Sequence, residues 1–473
     1  MNPRPVRGAG RLDAVPACRD AHAQSCLCCG RLSSRRGWLI HTTLAALAPA
    51  VRAACGQTDV PVATAPSVFP LDEPPFQGTL WGVDAEGHIS LRTGDKLRVL
   101  AADELAYYGR WHETDAGPQI LLTDGSCLRA DLLALEDQRV VIGDASGIGR
   151  TLWLRSELPR SSVRAVLLQP PAGPKPRDLF VDQIIQAAAE HDHVWLVGGG
   201  SLAGRLQAFA MRDQPVAPQT ASDSDVLTLL RAETGQTVTI PLEKVRAVTL
   251  RQTAPPEPET QQASSHTPRF WLGLQDGSLL QVGQVLVRRD PVQIVLATGG
   301  TLRIPTRPAS ASSFWSFVTY LEPVHPRVTW LSDLEPVGYK HVPFVGTVWP
   351  LARDRNVLGG RLRSTDAVYR KGLGMPSASR VAYDTAGHRR FQAELAIDAA
   401  AGLLGSVVYK VLRQLPDGTW EPAYTSPTLR GGDAPLPINV DCRHAVRIAL
   451  LVDFGEWAHR GDLANWLMAR LTR

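Results

Sequence analysis

Apolar positions along this chain fall mostly in short runs that alternate with polar residues, the two-residue period of half-buried β-strands. Such runs recur from about residue 76 to the C-terminus, each cut off by Gly, Pro or an Asp-Gly pair. One segment breaks the rule. Residues 180–190 (FVDQIIQAAAE) space their apolar side chains three and four apart, which predicts a short helix. The pattern as a whole predicts an all-β chain of antiparallel strands joined by tight turns.

The runs also repeat. Residues 119–169 read QILLTDGSCLRADLLALEDQRVVIG and then LWLRSELPRSSVRAVLLQ. Residues 193–251 read HVWLVGGGSLAGRLQAF and then DVLTLLRAETGQTVTIPLEKVRAVTLRQ. Residues 270–322 open FWLGLQDGSLLQVGQVLVRRDPVQIVLATGGTLRIP, and residues 76–109 hold a partial fourth copy ending KLRVLAADELAYYG. The shared order is strand, turn, strand, strand, Gly turn, strand, then a short apolar end after Pro. Asp124-Gly125, Gly199-Gly200 and Asp276-Gly277 suit hairpins that need positive φ. A copy of about 50 residues matches one small antiparallel barrel, and the strand order is similar to Sm-like or SH3-like barrels.

Pro-rich or polar stretches at 56–70, 170–177, 212–224 and 252–268 read as linkers or surface loops. They divide the chain into a leader (1–54), a linker (55–75), repeat regions at 76–170, 178–251 and 269–326, and a C-terminal domain (327–473).

Composition sharpens this picture. A chain of 473 residues holds several domains, and 40 Gly and 36 Pro with 12 Trp and 4 Met suit short strands and many turns. The net charge of +4 comes from the leader, whose eight Arg against Asp13 and Asp20 give +6, so the rest is 4 − 6 = −2. A near-neutral body lacks the basic stripe that a nucleic-acid partner requires. Cys18, Cys26, Cys28, Cys29 and Cys55 crowd the N-terminus, while Cys127 and Cys442 fall in different domains, so no disulfide framework is expected. The Cys26–Cys29 run has no second ligand cluster at zinc-site spacing.

Arg35-Arg36, followed by Gly37-Trp38-Leu39-Ile40 and a weakly apolar run to Ala54, has the layout of a twin-arginine export signal. It directs the chain to the periplasm or the exterior. Ala53-Ala54-Cys55 is a lipid-anchor alternative, opposed by Arg52. No later run is long enough to cross a membrane. Nothing in the body has the spacing of a nucleophile elbow, a zinc-protease helix or a phosphate loop. Asp124 and Asp276 begin turns rather than forming an acid–base pair. The expectation is a protein that binds and does not catalyse.

The C-terminal domain has its own texture. Strands at 391–397, 406–412, 437–440 and 446–452, separated by Gly, Pro and Asp-Gly turns, predict a two-sheet sandwich. Its ordered landmarks are Tyr369-Arg370-Lys371-Gly372-Leu373-Gly374, Val381-Ala382-Tyr383-Asp384, Arg389-Arg390-Phe391, Ala396-Ile397-Asp398, residues 405–411 (GSVVYKV), Gly431-Gly432-Asp433 and Trp466…Ala469-Arg470-Leu471. In these the last third of the chain resembles the NPCBM family of carbohydrate-binding modules. With Leu331–Pro336 and the repeats upstream, its layout is similar to that of planctomycete proteins ending in this module.

The resemblance implies a jelly-roll, galactose-binding-like sandwich that holds a polysaccharide or glycan, with no cofactor beyond a structural Ca2+. The candidate contact residues are Trp349, Tyr369, Arg370, Lys371, Trp457, His459 and Trp466, with His341 beside them. Aromatic faces stack on sugar C–H groups while polar side chains read hydroxyls. Asp398 and Asp462 are the candidate Ca2+ ligands. Three positions depart from the family. Pro376 follows Met375 where the family has His, residues 462–466 read DLANW where the family has Asp-His-x-Asp-Trp, and Ala399 follows Asp398. These changes leave open a second reading, a structural or protein-binding component of the cell envelope without sugar affinity. A third is an accessory or catalytic part of a glycoside hydrolase.

Overall fold

The alternating runs fold into antiparallel strands in a computed structural model that describes residues 66–473, apart from 115–116, 146–150, 188–189, 208, 211–224, 253–267, 288, 306–311, 345 and 457–458. Four successive groups of five strands share one plan. Strand one turns into strand two, which bends and passes to strands three and four. A short helical turn follows, and strand five returns to pair with strand one. The first strands are Ser67–Pro70, Gln119–Leu122, Asp192–Leu196 and Arg269–Leu274. The fifth strands are Leu105–Gly109, Val163–Leu167, Val245–Thr249 and Val318–Val324. The closing pairs include Phe69↔Tyr107, Ile120↔Val166, Val194↔Val248 and Leu272↔Leu321.

The copy that the sequence shows only in part is complete. Its first strand, Ser67–Pro70, lies in the stretch expected to be linker. Four residues ending in Pro are too few to display a period, yet Val68 and Phe69 are buried. The Asp-Gly turns form as expected. Asp124 and Asp276 each accept a hydrogen bond from the backbone N–H two residues on, and Gly125 and Gly277 take φ near +90°.

The copies associate in pairs through their fifth strands. Val166 faces Val248, flanked by Ala165↔Thr249 and Leu167↔Ala247. Leu168 N–H donates to Arg246 O at 2.9 Å, and Leu250 N–H donates to Arg164 O at 3.0 Å. The contact is therefore two-fold symmetric about its fourth residues. The first and fourth copies meet in the same register, Tyr108 facing Leu321. The two pairs join through Leu279↔Cys127 and Glu157↔Thr301, and one apolar core runs through all four.

The helix runs Pro174–Gln186, six residues earlier than its apolar spacing alone indicates. Gly173 turns the chain at φ +81°, and Pro174 occupies the first turn, where a missing N–H costs nothing. Ala187 then leaves the helix with ψ 148°. Val181 and Ile184 pack on Ala165, Leu167 and Ala247 beneath.

Beyond residue 327 the chain forms a β-sandwich. One sheet orders the strands Ala352–Arg353, Gly372–Pro376, Leu463–Thr472, Arg390–Ile397 and Leu436–Asp441. The other orders Gly338–His341, Ser379–Asp384, Arg447–Phe454, Ser406–Gln414 and Trp420–Thr425. Phe391, Leu395, Tyr409, Val411, Ile448 and Leu450 meet between them. Helix 174–186 reaches the sandwich by charge. Arg355 pairs with Asp182 at 2.6 Å, and Glu113 collects Arg177 at 2.9 Å, Arg361 at 3.2 Å and Arg363 at 2.7 Å. Among the described residues no helix is long and apolar enough to cross a membrane.

Candidate functional site

Strand Arg390–Ile397 alternates cleanly. Phe391, Ala393, Leu395 and Ile397 point into the sandwich, while Gln392, Glu394 and Ala396 point out. That outer face is nonetheless buried, Glu394 at 1% exposure, because the first and fourth barrels cover it. Glu394 accepts from Tyr107 Oη–H at 2.6 Å and from Arg110 at 3.0 Å. Gln392 donates to Leu71 O at 2.9 Å and accepts from Arg470 at 3.1 Å. A bulge at Met468, φ +50°, turns Leu467 and Met468 together toward the barrels, while Trp466 and Ala469 stay inside.

This covered face takes several of the expected sugar contacts out of solvent. Tyr369 is 5% exposed within it. Arg370 is held by Glu322 of the fourth barrel and lies 4.8 Å over the Trp271 ring. Lys371 is tied to Asp333 and, at 3.0 Å, to Asp354. Trp466 is fully buried, its ring 5.0 Å from Tyr409 and 6.0 Å from Phe391, and serves as the centre of the sandwich core. The sequence offered exposed aromatics and cations. The structure uses them as packing and ion pairs, because a second surface lies against this sheet.

The expected Ca2+ ligands also have other work. Asp398 Oδ1 accepts from Asn356 Nδ2 and Ala400 N, and Oδ2 accepts from Arg363 N and Asn465 Nδ2, all at 2.7–3.0 Å. Burial raises its carboxyl above the usual range, and these four donors pull the other way. With N–H groups on both oxygens, Asp398 pins a loop rather than facing a cation. Asp462 Oδ1 accepts from Ser406 N at 2.9 Å. Among the described residues the one group of metal-ligating side chains is Asp84, Glu86 and His88, on an exposed hairpin turn far along the chain from both aspartates.

Another end of the sandwich is open. Loops 342–351, 377–378, 402–405 and 455–462 share it, because His341 pairs with Ser379, Ser379 with Val452, and Phe454 with Val407. Phe344 projects there, 65% exposed. It stacks on His459 with centroids 5.4 Å apart and meets Phe454 edge-on at 6.2 Å. Trp349, 39% exposed, has its backbone N–H bonded to His341 Nδ1 at 3.0 Å. Burial lowers the His341 imidazole, which favours the neutral acceptor form seen in that bond. Leu403 and Leu404 are exposed beside an Arg430–Glu456 ion pair. Of the expected residues, Trp349 and His459 thus come to one surface, while Trp457 lies outside the described residues. Phe344 was missed because residues 342–350 (VPFVGTVWP) have no periodicity to separate an outward ring from a buried one.

The departures from the family pattern lie at this end too. Pro376 and Leu463 are cross-strand partners, Asn465 binds Asp398, and Ala399 follows it.

An antiparallel two-sheet sandwich resting on small β-barrels defines an all-β, module-bearing chain. Residues 327–472 match the NPCBM/NEW2 domain. No curated protein matches. Solved structures with some likeness include CBM51-2 and INT domains of Clostridium perfringens ZmpB in complex with GlcNAc, at 22% identity and TM-score 0.28 over 38% of this chain. The chain covers about a third, 36%, of that structure's length. A CBM51 of Clostridium perfringens GH95 in complex with methyl-galactose is 20% identical, TM-score 0.27, over 31% of this chain and 99% of that one. Tandem CBM51 modules of the Streptococcus pneumoniae family 98 glycoside hydrolase Sp3GH98 are 13% identical, TM-score 0.27, over 78% of this chain and 97% of theirs.

Proposed function

We propose that this is an exported, non-catalytic glycan-binding protein whose contact surface is the open end of the sandwich. The observation that carries this reading is Phe344, an exposed ring backed by His459 and Phe454 with Trp349 and His341 alongside. An unsatisfied aromatic face beside polar side chains is what a sugar ring requires. The NPCBM/NEW2 match over the same domain supports it. The polar side chains at this end, His341 on Trp349 N–H and Arg430 on Glu456, make structural bonds, which favours binding without catalysis.

A second reading keeps the fold and drops the sugar. It draws on Pro376 and Leu463, which stand opposite each other where family histidines are expected and bring apolar atoms together instead. The chain is then an envelope component that binds protein. A glycan array with the purified chain separates the two. On the first reading, Phe344→Ala and Trp349→Ala each weaken binding by roughly tenfold, the ~1.4 kcal/mol of one stacked ring. An array with no glycan retained, or retention untouched by the double variant, removes the first reading.

A further inference from the structure

The two barrel pairs differ at the outer half of their second strands. In the second and third copies, the outer half of strand two of each barrel approaches the other across the pair. The gap is closed by the chain itself. Phe209–Ala210, the far end of the third copy's strand two, pairs antiparallel with Leu135 and Ala134 of the second copy. As a result Leu135 is 1% exposed and Phe209 6%.

The first and fourth copies leave the corresponding gap open. Strand Thr79–Val83 pairs with Ile89–Arg92 on one side. Strand Leu279–Leu286 leaves its first partner after Val282, and residues 284–286 pair with 293–295. Among the described residues no strand pairs with the second edge of either segment, where Leu80 N–H donates to the Tyr108 hydroxyl at 3.2 Å. Between them is a cavity of about 650 Å3 lined by Trp81, Val83, Phe270, Val285, Val287 and Trp315. Val83, Val285 and Val287 are only half-buried, and a Cβ placed on Gly283 would meet open space. The reason for the difference is local. The fourth copy's strand two ends at Leu286, where Arg289 N–H turns back to Leu286 O, whereas the third copy's runs on to Ala210.

We infer that this cleft accepts an extended peptide from another protein, adding a strand between the two edges and seating an aromatic side chain where Phe209 sits in the paired barrels. Free strand edges supply backbone hydrogen bonds, and apolar walls select alternate side chains. Exposed Asp84 and Glu86 in the lining offer an acidic partner to a basic residue of the peptide. The occupant is thus extended, apolar at every second residue, and carries a basic residue.

The test uses a fluorescein-labelled synthetic peptide with the sequence of residues 205–210, Arg-Leu-Gln-Ala-Phe-Ala, titrated with the whole protein. Saturable anisotropy with Kd below about 1 mM is expected. Replacing the peptide's Phe by Ser, or its Gln by Pro to remove a backbone donor, should each weaken binding at least tenfold, as should Val285→Lys in the protein. No saturable binding overturns the inference. So does binding that tolerates the Pro peptide, since strand pairing cannot, or binding that ignores Val285→Lys.

Discussion

Replacing Glu394 by Ala asks whether the sandwich and the barrels stand or fall together. Its carboxylate is 1% exposed and holds two groups of the first barrel, the Tyr107 hydroxyl and the Arg110 guanidinium. Losing it strands a buried hydroxyl, about 1 kcal/mol. It also leaves Arg110 with Asp366 alone, at 3.2 Å and largely in solvent. Removing one partner of a fully buried pair costs about 3–5 kcal/mol, and Arg110 is 24% exposed, so about 2 kcal/mol is apt here. The sum is about 3 kcal/mol. Glu394→Gln keeps an acceptor for Tyr107 and should cost about half as much. Urea denaturation followed by tryptophan fluorescence reads both, and the Ala variant should also split one transition into two as the contact weakens. If Ala shifts stability by less than ~1 kcal/mol, or Gln costs as much as Ala, the contact is not what joins the parts.

The Glu113 cluster makes a pH prediction. Burial alone would raise this carboxyl, but Arg361, Arg177 and Arg363 bring it down from 4.5 to about 2. A depressed acid contributes its stability fully above the unfolded value, and loses it as pH falls from about 4.5 toward 2, here about 3 kcal/mol. Glu113→Gln should flatten that limb of the stability–pH curve; an unchanged limb would contradict the assignment. Burial also raises the Cys127 thiol and pushes Cys442 up to about 12. Both should stay unlabelled by iodoacetamide at pH 8 in the native protein and become labelled in urea, read peptide by peptide by mass spectrometry. Labelling of either without urea counts against the buried placement.

Much of the architecture could be read from the chain because it rests on local signals. Asp124-Gly125 and Asp276-Gly277 need positive φ, and Arg390–Ile397 shows the period of two. What escaped depended on neighbours distant in sequence. Gln392 and Glu394, the polar positions of an alternating strand, are buried under a barrel whose Leu71 carbonyl accepts from Gln392 and whose Tyr107 and Arg110 donate to Glu394. Leu463–Thr472 is buried along most of its length and carries a bulge, so it shows no alternation. Tyr369, Arg370 and Lys371 matched a family pattern that says nothing of what lies against the sheet. Phe344 sits in a Pro-flanked loop where composition is silent about direction.

The symmetric fifth-strand contact has a consequence for how this chain avoids trouble. A bare strand edge is an invitation to any passing polypeptide, and four small barrels carry many of them. Because partner copies are tethered on one chain, each fifth-strand edge meets its complement at millimolar local concentration, long before a stranger arrives. Pro323 and Gly109 show how much latitude this gives. The fourth copy has a residue without an N–H beside its seam and still docks with the first, since proximity supplies what a lost hydrogen bond does not.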